Sequence, residues 1–253
     1  APEAELARIN GAIALASLVP LVSQPDQQIS IALIDIGVPL TDAVVTFSIE
    51  EGPLFAIEHA RFNLAGGTVE TAPVVIDPMN PDTTIELHVA NMNLAAFLAM
   101  AEVDGLVATG ELNGTIPVEI RGDDIVITTG RLDAEEPGAL QYAPAEPPAA
   151  LQGAGETASL VLGALANFRY DQLWLTLDRD ADGETGLGLH VRGSNPDFYD
   201  GYPIELNLTL TGELDRILRD SLVGYRIPDY VKDQLENGET VETEPDINAG
   251  DSQ

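Results

Sequence analysis

Aliphatic side chains recur at every second position through most of this chain. A period of two commits a segment to a β-strand with one apolar face. Gln28–Ile36 places Ile29, Ile31 and Leu33 on one side, and Val45, Phe47 and Ile49 repeat the pattern after a turn expected at Pro39–Asp42. Phe55 and Ile57, then Phe62 and Leu64, lead to Gly66-Gly67, where the chain can bend sharply or bulge. Val69–Ile76 reads as one strand, and Ile85, Leu87 and Val89 alternate after the Asp77–Asp82 turn cluster. Leu106, Ala108, Gly110 and Leu112 continue the period, followed by Ile116, Val118 and Ile120. Beyond the Arg121–Asp124 turn come Ile125 and Ile127, Leu132, and then Leu140 and Tyr142. Two hairpin arms (Leu173, Leu175, Leu177 and Leu187, Leu189, Val191) precede the cleanest alternation of all, Ile204, Leu206, Leu208 and Leu210.

Helical spacing is confined to short stretches. Asn93 is an N-cap signal before an apolar stripe over 94–101, and Glu156–Phe168 places Leu160, Val161, Ala164, Leu165 and Phe168 on one face. Leu214–Leu222 and Pro228–Leu235 read as two terminal helices. Nothing has the βαβ rhythm of a nucleotide-binding sheet, so the expected class is mainly β: an open or rolled antiparallel sheet with small helices at its margins. Four segments are expected. They are a first β part over 1–142, a Pro/Ala-rich linker or loop over 143–155, a helix, hairpin, strand and terminal helices over 156–235, and an acidic disordered tail over 236–253.

Charge excludes several partners. With 42 acidic residues against 11 basic ones the net charge is −31, and the arginines and Lys232 do not cluster. A phosphate backbone would be repelled, so no nucleic-acid partner is expected. Adhesion to anionic headgroups through a basic patch is excluded on the same ground. The 45% apolar content is still ample for a folded core, and with aromatics at 5% that core is aliphatic. The absence of cysteine removes disulfides, thiol nucleophiles and thiolate metal sites. The longest apolar run, Gly11–Val22, is interrupted by Pro20 and is too short to span a bilayer. Glu3 and Glu5 precede it where a signal peptide carries positive charge, and the chain starts without Met, which reads as processing or an excerpt.

Few residues point to chemistry. Asp178, Asp180 and Asp182 match the first half of a calcium loop, but Leu189 stands where the pattern needs a bidentate Glu. A charged hairpin loop is the simpler account, and no metal site is expected. His59, His88 and His190 lack paired ligand spacing, and the last two read as solvent-face residues of their strands. No serine lies in a nucleophile elbow, and neither a phosphate-binding glycine loop nor a Walker motif is present. With so many carboxylates a nominated glycosidase pair carries no information. No cofactor is expected. What remains is apolar sheet face that four short helices cannot cover, to be met either by the sheet folding over itself or by an apolar ligand.

Several dispersed motifs add a resemblance. Val19-Pro20-Leu21 to Gly37-Val38-Pro39-Leu40-Thr41-Asp42, Ala65-Gly66-Gly67, Ala108-Thr109-Gly110 with Gly114-Thr115-Ile116-Pro117-Val118, and Gly130-Arg131-Leu132 with Pro137-Gly138 are joined by three more beyond the linker. These are Phe168-Arg169-Tyr170-Asp171, Gly193-Ser194-Asn195-Pro196 and Gly201-Tyr202-Pro203-Ile204. Together, over residues 15–235, they resemble the C-terminal region of the YdbH family, within the AsmA-like group that includes TamB; an older label for the region is dicarboxylate transport domain. The resemblance implies a periplasmic protein of Gram-negative bacteria, anchored in the inner membrane, whose grooved β-sheet conducts phospholipid acyl chains toward the outer membrane. It implies a small outer-membrane lipoprotein (YnbE-like) as partner and offers no catalytic residues; unpaired N–H and C=O groups at an open sheet edge make strand pairing the expected way for that partner to dock. Taken with the uncovered sheet faces, it gives a rolled, taco-like groove whose candidate lining is Leu106, Leu112, Ile116, Val118 and Ile120 in the first part and Leu187, Leu189, Val191, Leu206, Leu208 and Leu210 in the second. Two other classes stay open: a structural or protein-binding β module of the envelope without lipid contact, and a hydrolase or lectin-like module.

Overall fold

Alternation produces a strand wherever it runs cleanly. The computed structural model describes residues 5–211, except 36–37, 53, 81, 101–104, 123, 145–155 and 183, with backbone alone at 156–158 and 208–211. The first strands are β1 (Glu5–Gly11), β2 (Leu15–Leu18), β3 (Leu21–Ser23), β4 (Gln27–Asp35), β5 (Pro39–Glu50) and β6 (Leu54–Leu64). Next come β7 (Gly67–Thr71), β8 (Val74–Ile76), β9 (Thr83–Asn93), helix α1 (Leu94–Ala99), β10 (Leu106–Ala108), β11 (Glu111–Arg121), β12 (Asp124–Ala134) and β13 (Gly138–Tyr142). Helix α2 (Glu156–Leu165), β14 (Phe168–Arg179), β15 (Thr185–Ser194) and β16 (Ile204–Thr211) complete the described part. The expected terminal helices and acidic tail lie outside the described residues, as does most of the 143–155 segment.

Fourteen strands form one antiparallel sheet, and β2 pairs with β3 as a separate hairpin. The longest path runs β1-β4-β5-β6-β7-β9-β11-β12-β14-β15-β16. At a spacing of about 4.8 Å, these eleven strands extend roughly 50 Å across the strands. β12 and β13 share one edge of β14, with Phe168–Tyr170 pairing β13 and the later residues pairing β12, and β10 adds to β13. The mainly β class is as expected. The sheet is elongated and does not close into a barrel: β1 and β16 each pair on one side only among the described residues.

The structure differs from the sequence reading at five places. Residues 5–23 form three strands that irregular apolar spacing concealed. Pro39–Asp42 lies inside β5 rather than in a turn, because Pro opens the strand, where no ladder N–H is required. Val69–Ile76 divides into β7 and β8 at Ala72-Pro73, and the run from Leu106 to Leu112 divides into β10 and β11 at Gly110, whose φ is +129°. Finally, α2 stops at Leu165, and Phe168 opens β14 instead of closing the helix.

Three register shifts coincide with non-glycine residues of positive φ. Asp42 (φ 52°) lies in the shift between β5 and β6, Asn91 (φ 54°) in that between β9 and β11, and Thr129 (φ 53°) in that between β12 and its neighbours. A bulge frees a backbone N–H from the ladder, and an adjacent strand supplies the acceptor at two of them. Asn91 N–H donates to Asn113 Oδ1 at 2.8 Å, and Thr129 N–H donates to Asp178 Oδ1 at 2.9 Å. Removing either acceptor should cost about 1 kcal/mol. Asn113→Ala and Asp178→Ala are therefore expected to lower the urea midpoint, whereas Asp178→Asn, which keeps an acceptor oxygen, should stay near wild type.

Candidate functional site

The bulges matter because each one keeps the side-chain phase of neighbouring strands aligned. Following the Cα partners across the sheet gives a row on a single face in two stretches, joined by a step of two residues along β6. Gly11, Ile29, Val45 and Ala60 lie side by side on β1, β4, β5 and β6. Two residues along β6, Phe62 opens the continuation through Val69, Val89, Gly114, Leu132, Leu175, Leu189 and Leu208. Parallel rows flank it, such as Ile85, Val118 and Ile127, or Leu177, Leu187 and Leu210. This inner face holds most of the buried side chains, among them Val69, Val89, Leu112, Leu132, Leu173, Leu175 and Val191.

Burial divides the face along the strand direction. Near Leu112 it is sealed: Leu94, Leu112 and Phe168 are 0% exposed, and Val191 is 1% exposed. Helices α1 and α2 and the β10–β13 pair cover this half, with Phe97, Leu98 and Val161 packed against it. Burying one such aliphatic side chain is worth about 2 kcal/mol. Toward the other strand ends, Ile116, Val118, Ile120 and Leu189 stay half-buried, and neither α1 nor α2, the α-helices among the described residues, packs broadly on β11 or β15.

Of the sequence-predicted lining residues, Leu112, Ile116, Val118 and Ile120 share the inner side of β11, and Leu187, Leu189 and Val191 share that of β15. Leu206, Leu208 and Leu210 are register partners of Val191, Leu189 and Leu187. Leu106 stands apart: it lies on β10 opposite Tyr142, in the cover rather than in the rows.

A family model described as YdbH-like: Intermembrane phospholipid transport protein YdbH matches residues 1–236. The chain belongs to the YdbH-like family. Neither the curated proteins nor the solved structures yield a match. Membership places the chain in a lipid-transport-associated β-sheet family. Among the described residues, no helix is long and apolar enough to cross a membrane, and no three His, Asp or Glu side chains are grouped to hold a metal ion.

Of the motifs that carry the likeness to the YdbH family, Gly114–Val118 and Gly130–Leu132 run along the inner rows, while Thr109-Gly110, Pro137-Gly138 and Phe168–Asp171 meet in the sealed half, around Tyr170. This side chain is 1% exposed, and its hydroxyl donates to the Thr109 carbonyl oxygen at 2.5 Å. Gly110 and Gly138 lie against that hydroxyl, where a Cβ on either would collide with it. Thr109 N–H donates to Ala139 O, and Ala139 N–H returns to Thr109 Oγ1 at 3.0 Å. Asn195, also 1% exposed, donates from Nδ2 to the Gly163 and Ala164 carbonyls and so ties the end of α2 to the sheet. Ala65 and Gly66, both of positive φ, make the tight β6–β7 turn, and Ala65 O accepts from Asn93 N–H, the residue whose side chain caps α1.

The outer face carries the polar residues. Arg131 is paired with Asp133 and lies 5.1 Å from the centre of the Trp174 ring, which stacks on His190 at 5.0 Å. His190 Nδ1 is 2.7 Å from Asn207 Oδ1, and His88 pairs with Glu86 at 3.2 Å. The calcium-like segment is the β14–β15 hairpin loop: Asp178 serves the Thr129 bulge, and Asp180 Oδ1 accepts from Glu184 N–H at 2.8 Å.

Two outcomes follow. Leu112→Ala should cost about 2–5 kcal/mol in urea unfolding, as a cavity in a sealed core does, while Val118→Ala on the uncovered half should cost clearly less. Burial raises the Tyr170 phenol above its ordinary value, so its contribution to stability is complete below about pH 10 and is lost as pH rises through the folded-state value. Tyr170→Phe should lose about 1 kcal/mol at neutral pH. Its deficit against wild type should narrow above pH 10 in unfolding titrations.

Proposed function

We propose that this chain is a non-enzymatic conduit segment of a periplasm-spanning bridge that moves phospholipids between the inner and outer membranes. Acyl chains lie across the strands on the inner rows, and headgroups stay in water at the strand ends. The reading rests on one observation: apolar side chains keep one phase from β1 to β16 over eleven strands, and beside the buried stretch Val69, Val89, Leu132 and Leu175 the flanking row of Ile85, Val118 and Ile127 is only half-buried. Each methylene transferred from water onto such a face is worth about 0.8 kcal/mol, enough to hold a chain loosely at many equivalent positions. Family membership supplies the cargo class.

The full-length protein is anchored in the inner membrane, with this part toward the outer membrane. A small outer-membrane lipoprotein of the YnbE kind adds a strand to an open edge of the sheet, where unpaired N–H and C=O groups are ready templates. The sealed half around Leu112 and Val191 braces the sheet, and the uncovered half with Ile116, Val118, Ile120 and Leu189 faces the lipid.

Photo-crosslinking residues placed at Val118 and at Leu208 should yield phospholipid adducts in cells, and one at Glu86, on the outer face of β9, should yield none. Absence of adducts at both inner positions would leave the structural or protein-binding β module as the function.

A further inference from the structure

The inward positions of β9, β11, β12, β14 and β15 are apolar, glycine or threonine with one charged exception. Leu173, Leu175 and Leu177 point inward on β14, and the next inward position, at the strand end, is Arg179. Its register partners are Ile127 on one side and Thr185 on the other. Three other arginines of the sheet answer carboxylates on the outer face, Arg61 with Glu70, Arg121 with Glu119 and Arg131 with Asp133, whereas Arg179 is the one whose strand phase points inward among Leu173, Leu175 and Leu177. Arg179 makes no ion pair among the described residues. It is half-buried, its Nε donates to Ile125 O at 3.2 Å, and its Nη1 donates to Thr185 Oγ1 at 3.2 Å. Two neutral acceptors leave most of the five guanidinium donors available. A partly desolvated cation without a counter-ion is unfavourable, all the more conspicuous in a chain of net charge −31.

Nearby carboxylates are turned to other work rather than to Arg179. Asp178, on the outer face of β14, accepts from Thr129 N–H; Asp180 accepts from Glu184 N–H and lies, with exposed Asp182, on the loop beside Arg179. A cation at the lip of an apolar face, next to an anionic loop, is complementary to a headgroup of the opposite polarity order: phosphate nearest the acyl chains and ammonium outermost. We propose that Arg179 binds the phosphodiester of a zwitterionic, ethanolamine-type phospholipid, with Asp180 and Asp182 facing its ammonium group. This deepens the conduit reading and rests on it. A guanidinium suits the phosphodiester because it presents paired donors to two oxygens.

The test uses the whole 253-residue chain carrying a photo-crosslinking residue at Val118. It is mixed with vesicles containing equal parts of phosphatidylethanolamine and phosphatidylglycerol, and adducts are identified by mass. Ethanolamine adducts should predominate in wild type. Arg179→Gln should lower the total yield about tenfold, the loss of one charge-assisted contact, and Arg179→Lys should retain most of it. Asp182→Asn, a change at an exposed residue, should abolish the ethanolamine preference by bringing the ethanolamine adducts down to the level of the phosphatidylglycerol ones. Urea midpoints of all variants check that they are folded; should Arg179→Gln unfold, the Asp182→Asn result decides.

Equal yields from wild type and folded Arg179→Gln would overturn the headgroup assignment and leave the conduit reading standing. A preference for phosphatidylglycerol, or an ethanolamine preference untouched by Asp182→Asn, would overturn the zwitterion assignment. If inorganic phosphate alone stabilises wild type over Arg179→Gln while adduct yields stay equal, Arg179 serves a free anion and the lipid role falls. No adduct in wild type would remove the conduit reading, and this inference with it.

Discussion

Everything in this fold depends on keeping the side-chain phase constant from strand to strand. A shift of one residue in any ladder would turn an entire strand's aliphatic set toward water and break the inner rows. The sheet does contain register shifts, but those at Asp42, Asn91 and Thr129 are absorbed by a single residue of positive φ, and side chains of neighbouring strands take up the freed amides of Asn91 and Thr129. The outer-face acceptors Asn113 and Asp178 thus preserve the apolar order of the opposite face. Polar chemistry on one side of the sheet is what makes the other side continuous.

That division of labour explains what could be read from the sequence. Period two is a property of each strand alone, so β4, β6, β9, β11 and the β14–β16 meander were legible, together with the inward sides of β11 and β15. Bulges are a property of pairs of strands. Asp42 next to Pro39 looked like a turn because the same residue types serve turns and bulges, and only the partner strand decides between them. The strands over 5–23 were missed because their apolar residues fall on both faces. Leu106 was grouped with Leu112 on spacing alone, although Gly110 redirects the chain between them. Arg179 was hidden inside a run of aspartates that resembled a metal loop, yet its spacing from Leu173, Leu175 and Leu177 was present in the sequence as a signal of inward phase.

The motifs that signal the family are divided between the rows, which hold Gly114, Ile116, Val118 and Leu132, and the sealed half. Thr109, Gly110, Gly138, Tyr170 and Asn195 build the sealed half, where glycines make room for one phenol and one amide fixes a helix end. Such positions tolerate few alternatives, because a buried polar group without its partner is costly. The inner rows ask only for aliphatic bulk in the right phase, a requirement that Val, Ile and Leu meet interchangeably. Part of the family likeness is therefore written in the brace, where few choices fit, and part in rows that any aliphatic choice of the right phase can satisfy.

The repetition of the rows has a kinetic side. Neighbouring strands present nearly the same aliphatic environment, so an acyl chain advanced by one strand spacing of about 4.8 Å meets much the surface it has left. The landscape along the sheet is a shallow corrugation in place of a single deep well. Hydrocarbon on such a surface diffuses in small steps in either direction, with no intrinsic sense of travel. On the proposed conduit reading, direction comes from the two ends, from where lipid is supplied and where it is taken away.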